Sequence, residues 1–199
     1  MAKKIVKSAE VNGQPPCKAE SLAGKFAQLR KELAASLVER DDEIDVVLAA
    51  IVCQEHPLLV GLPGTAKSML LDGLLAAMPS SRRFSILLTK YTVPEEVFGP
   101  FSIQGLTRDE YRRVTKGRMP EADLAFVDEI FKASSAILNT MLRMLNERVF
   151  DLGDGSFAKC PLRLCVAASN EWPSDMEGGK ELAALFDRFL FRKRVRNIQ

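Results

Sequence analysis

The chain has 199 residues, 47% of them hydrophobic, and a formal net charge of +2. That is enough apolar matter for one ordinary domain, and too little charge imbalance to argue for nucleic acid or an anionic membrane as a partner. The four cysteines (Cys17, Cys53, Cys160, Cys165) form no CxxC pair and His56 is the one histidine, which excludes the usual zinc clusters and, without G-x-S-x-G, leaves a histidine-based triad unsupported.

Residues 1–20 mix Lys, Asn, Gly, Gln and Pro and read as a mobile tail before a core over 21–199. They carry no apolar run of signal-peptide type, and no stretch of the chain is long enough to span a membrane. The cysteine usage makes a reducing cytoplasm the default compartment. Leu22, Phe26, Leu29, Leu33 and Leu37 recur at steps of three and four and predict an amphipathic helix. Asp41 and Asp42 can cap a second helix, with Ile44, Val47, Leu48 and Ile51 on one face and Pro57 ending it. HPLLVG then reads as a short buried strand. A helix over SMLLDGLLAAM, stopped by Pro79, follows. FSILLT (84–89), DLAFVDE (123–129), RLCVAASN (163–170) and FLFRKRV (189–195) are four further strand candidates. Helical patterns lie between them, at Ile137, Leu138, Met141, Leu142, Leu145 and at Leu182, Leu185, Phe186, Phe189. The alternation predicts an α/β fold, a five-stranded parallel sheet sandwiched between helices, with ligands bound at the carboxyl ends of the strands.

Between the first strand and its helix lies GLPGTAKS: Gly61, Leu62, Pro63, Gly64, Thr65, Ala66, Lys67 and Ser68, followed by Met69. It matches the phosphate-binding pattern G-x-x-x-x-G-K-[ST] except at Ala66. Gly61 and Gly64 allow a tight turn whose amides, with the helix N-terminus, make an anion cradle. Lys67 supplies a charge for the β- and γ-phosphates of ATP or ADP, and Ser68 a hydroxyl for Mg²⁺. Alanine at 66 fits if that residue already sits in the first helical turn with negative φ; a positive φ would strain it.

LAFVDEI (124–130) runs an apolar strand into two acids. In this order and context it reads as the partner motif: Asp128 for the Mg²⁺ shell, Glu129 to polarise the attacking water. The plainer alternative is that both acids start the next helix. VAASNEW ends a strand at Ser169 and Asn170, where Asn170 can orient the lytic water, touch the γ-phosphate, or merely cap a turn. In LFDRFLF, Arg188 is either a surface residue or a finger reaching the γ-phosphate of a neighbouring subunit. Arg108, Arg112, Arg113, Lys116 and Arg118 around Tyr111 could grip a single strand, but Asp109, Glu110 and Glu121 balance them and a solvated face is the favoured reading. Arg192, Lys193, Arg194 and Arg196 likewise read as an exposed strand edge. Trp172 can pack near the nucleotide, at a subunit joint, or in the core, and Cys160 and Cys165 read as buried, inert thiols.

With these strings in hand, together with VPEEVFGPFSIQ, GRMPEADLAFVDEIFKASSAILNTMLRMLNERVF and ALFDRFL, the chain resembles the MoxR-type AAA+ ATPases, closest to the RavA branch, from about Arg40 to its end. RavA-like loops also carry alanine before the lysine. The resemblance implies a ring, usually hexameric, with nucleotide between subunits. It implies Lys67 and Ser68 as Walker A, Asp128 and Glu129 as Walker B, Asn170 as sensor 1 and Arg188 as the trans-acting finger. FGPFSIQGLTRDEYRRVTKGRMPEA would be a helix-2 insert toward the ring face or pore, VFDLGDGSFAKCP a hairpin, and Arg40 a contact at adenine. The family's helical lid is not expected in this chain, which ends near the fifth strand. Function by resemblance is Mg²⁺-ATP hydrolysis that remodels or matures a partner complex, often one with a von Willebrand factor A (vWA) domain protein. The alternatives are a nucleotide-gated interaction module with little hydrolysis and, less favoured, a nucleic-acid motor.

Overall fold

A computed structural model describes residues 19–172 and 179–197. The expected tail therefore lies outside the described residues, except that helix α1 (Ala19–Ser36) already includes its last two positions. In α1 Phe26 and Leu29 are half-buried and Leu33 is buried; Leu37, just past its end, is buried as well.

Helix α2 (Asp41–Cys53) buries Ile44, Val47, Leu48 and Ala50. Two details differ from expectation. Arg40, not an aspartate, occupies the N-cap, while Asp41, Asp42 and Glu43 fill the first turn, where their charge complements the helix dipole. The helix also ends before Pro57, at Gln54, whose left-handed φ of 57° terminates it. Pro57 instead opens strand β1 (Pro57–Val60), which leads into α3 (Lys67–Ala76) and β2 (Arg83–Leu87).

Helix α4 (Pro94–Phe98) leads into the segment expected as an insert, which contains the short helix α5 (Ile103–Leu106) and folds back on itself through a bridge between Phe101 and Arg113. Strand β3 (Leu124–Asp128) and helix α6 (Ser135–Glu147) follow. In α6 Met144 is fully buried, whereas Leu142 is half-buried. The expected hairpin is β4 (Val149–Asp151) antiparallel to β5 (Phe157–Lys159). Strand β6 (Leu164–Ser169), helix α7 (Gly179–Phe186) and strand β7 (Phe191–Arg194) complete the order.

The five strands of the main sheet run in the order β2-β3-β6-β1-β7, and every pairing is parallel. β1 and β6 are buried at every position, as central strands covered on both faces must be. Alternate residues feed two separate cores. Leu58, Val60, Ala125, Val127, Cys165 and Ala167 face α6 residues such as Ile137 and Met141. Leu59, Leu124, Leu164 and Val166 face α1, α2 and α3. The central strands are thus held rigidly, and the carboxyl ends of β1, β3 and β6 emerge side by side.

Candidate functional site

Gly61 leaves β1 where Val195 donates its N–H to Val60 O at 2.7 Å. A Cβ at Gly61 would fall 2.5 Å from Val195 O, so close backbone approach, rather than an unusual φ, demands glycine there. Gly64 has φ +79° and needs glycine for its conformation. The loop closes on itself through Thr65 Oγ1 donating to Leu62 O at 2.9 Å. Arg40 ties it down from α2, its Nε donating to Thr65 O at 3.0 Å.

Ala66 corrects the expectation of a negative φ. It is the N-cap of α3, in the left-handed region at φ 62°, ψ 20°. A Cβ there costs about 1–2 kcal/mol. The cost is tolerated because both flanks are fixed: Arg40 holds the preceding carbonyl, and Ala66 O accepts the Leu70 N–H at 3.0 Å. The loop keeps its shape through tertiary restraint, not helical residence.

Lys67 is 7% exposed and points back across the loop. Its Nζ donates to Gly61 O at 2.5 Å, Leu62 O at 3.1 Å and Asn170 Oδ1 at 3.0 Å, the last across 103 residues of sequence. Burial lowers its pKa, opposed by the nearby carboxylates of Asp128 and Glu129. Asn170 in turn donates through Nδ2 to Glu129 Oε1. Glu129 is 6% exposed and also left-handed, at φ 53°; its N–H donates to Asp128 Oδ1 at 2.9 Å. It is the N-cap of a short 3₁₀ turn over Ile130–Lys132. Its second oxygen, Oε2, is buried and accepts no hydrogen bond, with Lys132 Nζ 3.3 Å away as an ion-pair partner.

Residues from three strand ends thus form one polar chain, Lys67–Asn170–Glu129–Lys132, with Asp128 adjacent. Leu62, Pro63, Ser68 and Met69 lie on the exposed rim of the same loop and helix start. Arg188 stands apart, exposed in the turn after α7 with its N–H on Leu185 O. Arg40 is buried at 4%; besides its bond to Thr65, Nη1 donates to Glu39 O, and its buried Nη2 has no partner. It borders a cavity of about 630 Å³ lined also by Asp41, Asp42, Arg194 and Arg196. Trp172 lines a second hollow with Gly61 and Asn170, and stacks edge-on against Phe186 at 5.9 Å. Sequence reasoning missed Lys132. Its signal was the three-residue spacing from Glu129, which becomes a contact only because the turn is helical.

These residues fit a magnesium nucleotide. The loop places a buried ammonium beside backbone carbonyls, a poor final partner for it and one that phosphate oxygens would displace. Among the described residues no three His, Cys, Asp or Glu side chains gather as a metal cage. Mg²⁺ rarely uses such a cage: it takes one or two carboxylates plus substrate phosphates, which Asp128 and Ser68 suit. The unpartnered Arg40 Nη2 leaves one donor free beside the larger cavity.

The family model described as the MoxR domain of MoxR-vWA-beta-propeller ternary systems matches residues 24–199. An uncharacterized protein of Methanocaldococcus jannaschii is 43% identical over 176 residues, covering 88% of this chain and 45% of its own. Chaperone MoxR1 of Mycobacterium tuberculosis is 29% identical over 185 residues, covering 91% of this chain and 48% of its own. The chain thus spans about half the length of these relatives. Among solved structures, the S. cerevisiae Hsp104-ADP complex superposes with a TM-score of 0.61 at 16% identity, covering 89% of this chain and 37% of that one, a likeness of fold. No helix among the described residues is long and apolar enough to cross a membrane.

Proposed function

This chain belongs to the MoxR-type AAA+ ATPases, and from that premise we propose that it binds and hydrolyses Mg²⁺-ATP, using the turnover to remodel or mature a partner protein complex. The observation that carries the reading is the polar chain joining Lys67, Asn170 and Glu129 across 103 and 41 residues of sequence. A helix N-terminus with a buried lysine and a strand-end carboxylate pair is the arrangement phosphoryl transfer needs.

Mg²⁺ bound with the nucleotide would neutralise charge on the β- and γ-phosphates. Lys67 exchanges Gly61 O and Leu62 O for phosphate oxygens. Asp128 and Ser68 would hold the cation. Glu129, with its pose set by Asn170, accepts the proton of the attacking water. Arg188, exposed and outside the network, is the proposed finger toward a neighbouring subunit in a ring, for which six subunits is the expected number. A vWA domain protein is the proposed partner, a RavA-like role the proposed branch and the cytoplasm the proposed compartment.

A second reading, a nucleotide-gated interaction module with little hydrolysis, is favoured by one observation: the internal network leaves the site without Arg188. The test is ATP hydrolysis per subunit against protein concentration, with Mg²⁺ present. A steep rise supports sites completed between subunits. A flat, near-zero rate despite tight ATP binding would instead favour the module.

A further inference from the structure

Glu129 sits between two ammonium groups. On one side Lys67 acts on it through Asn170, which accepts from Lys67 and donates to Glu129 Oε1. On the other, Lys132 Nζ lies 3.3 Å from Oε2. The Glu129 side chain is 8% exposed and that of Lys132 41%, so Lys132 is the solvent-side arm of the chain. The turn fixes this geometry: Lys132 N–H donates to Glu129 O at 2.9 Å, and Asp128 Oδ1 accepts from Glu129 N–H. The left-handed φ of Glu129 sends the following residues into a tight 3₁₀ turn, and Lys132 returns over the carboxylate.

We propose that Lys132 is a positioning residue for Glu129. Without it, Oε2 would be a buried carboxylate oxygen with no cation or donor beside it, and such an oxygen moves to find one. The cation left on the polar chain is Lys67, so the carboxylate would swing toward the phosphate side and away from the place of the attacking water. Lys132 counterbalances that pull and keeps the carboxylate extended and aimed. A methionine matches the lysine stem but supplies no charge, whereas arginine keeps the charge on a similar reach.

The inference rests on the ATPase reading above, and the experiment separates the two. Lys132→Met is expected to lower kcat about tenfold, the scale of a misplaced catalytic group, while KM for ATP stays within about twofold. Lys132→Arg should recover most of kcat, which a loss of mere surface packing would not produce. In the nucleotide-free protein, the unfolding midpoints of Glu129→Gln, Lys132→Met and the double variant should fail to add, since the two side chains contact each other. Full kcat in Lys132→Met, or additive midpoints, overturns the proposal. If the wild-type chain itself turns over no ATP, the ATPase reading fails and the midpoints alone still decide whether Lys132 holds Glu129.

Discussion

The two ends of the central strands each carry a buried cluster of ionisable groups, with opposite outcomes. At the amino ends His56 is 2% exposed, and its Nδ1 accepts the Cys165 N–H at 3.0 Å. Arg148 meets His56 Nε2 and donates from Nη2 to Gln54 O at 2.8 Å. Here burial dominates. It pushes His56 down to about 3, with Arg148 adding to the fall. It pushes Cys160 and Cys165 up to about 11 and about 12 against the pull of Arg148. Imidazole and both thiols are therefore neutral at pH 7, and the cluster is scaffold. At the carboxyl ends Lys67 is as buried as many core residues, yet Asp128 and Glu129 oppose its desolvation. At the amino ends burial alone silences the ionisable groups; at the carboxyl ends it lowers the Lys67 pKa but is opposed by two carboxylates.

Replacing a reactive group should break this contrast most sharply. Glu129→Gln should cost about 10²–10⁴ in hydrolysis, the usual worth of a positioned base, while a fluorescent ATP analogue binds as before. Undiminished turnover would mean the carboxyl-end cluster is as passive as the other.

The amino-end cluster should reveal itself through pH. The folded pKa of His56, about 3, lies below the ordinary 6.5, so the unfolded chain takes up the proton first as pH falls. This contribution to stability is complete above pH 6.5 and is lost progressively toward pH 3, at up to about 1.4 kcal/mol per pH unit. His56→Asn, whose Oδ1 can still accept the Cys165 N–H, should flatten that slope in urea titrations between pH 6.5 and 5. An unchanged slope would show that His56 is not the neutral group described.

The smallest effect sharpens the view of the loop. Ala66→Gly relieves about 1–2 kcal/mol of left-handed strain but loosens the unfolded chain by about 0.5–1, so stability should rise by about 0.5–1 kcal/mol. A lower urea midpoint would mean that the φ of 62° is not strained in this setting.

Much of this was legible in the amino-acid order. Short apolar runs such as PLLV, bounded by Pro57 and Gly61, and LCVAAS read as strands covered on both faces, and helical spacing marked α2 and α6. Those local patterns placed Asp128 and Asn170 at strand ends and Lys67 at the helix start after β1, and a parallel sheet brings its carboxyl ends to one side. Other features follow from contacts between distant segments. The φ of Ala66 is set by the closed loop and by Arg40, which lies 25 residues away from Thr65 in sequence. Gly61 is required because Val195 on the edge of β7 presses against it. Arg40 is expected from the resemblance as a contact at adenine, and only the folded chain shows its Nε bonded to the Thr65 carbonyl of the loop. Lys132 needed a left-handed glutamate before it could reach back over the carboxylate. Periodicity and composition report what each segment buries, and so determined the sheet and its helices. Backbone strain, close approach and charge pairing depend on neighbours that only the folded chain supplies.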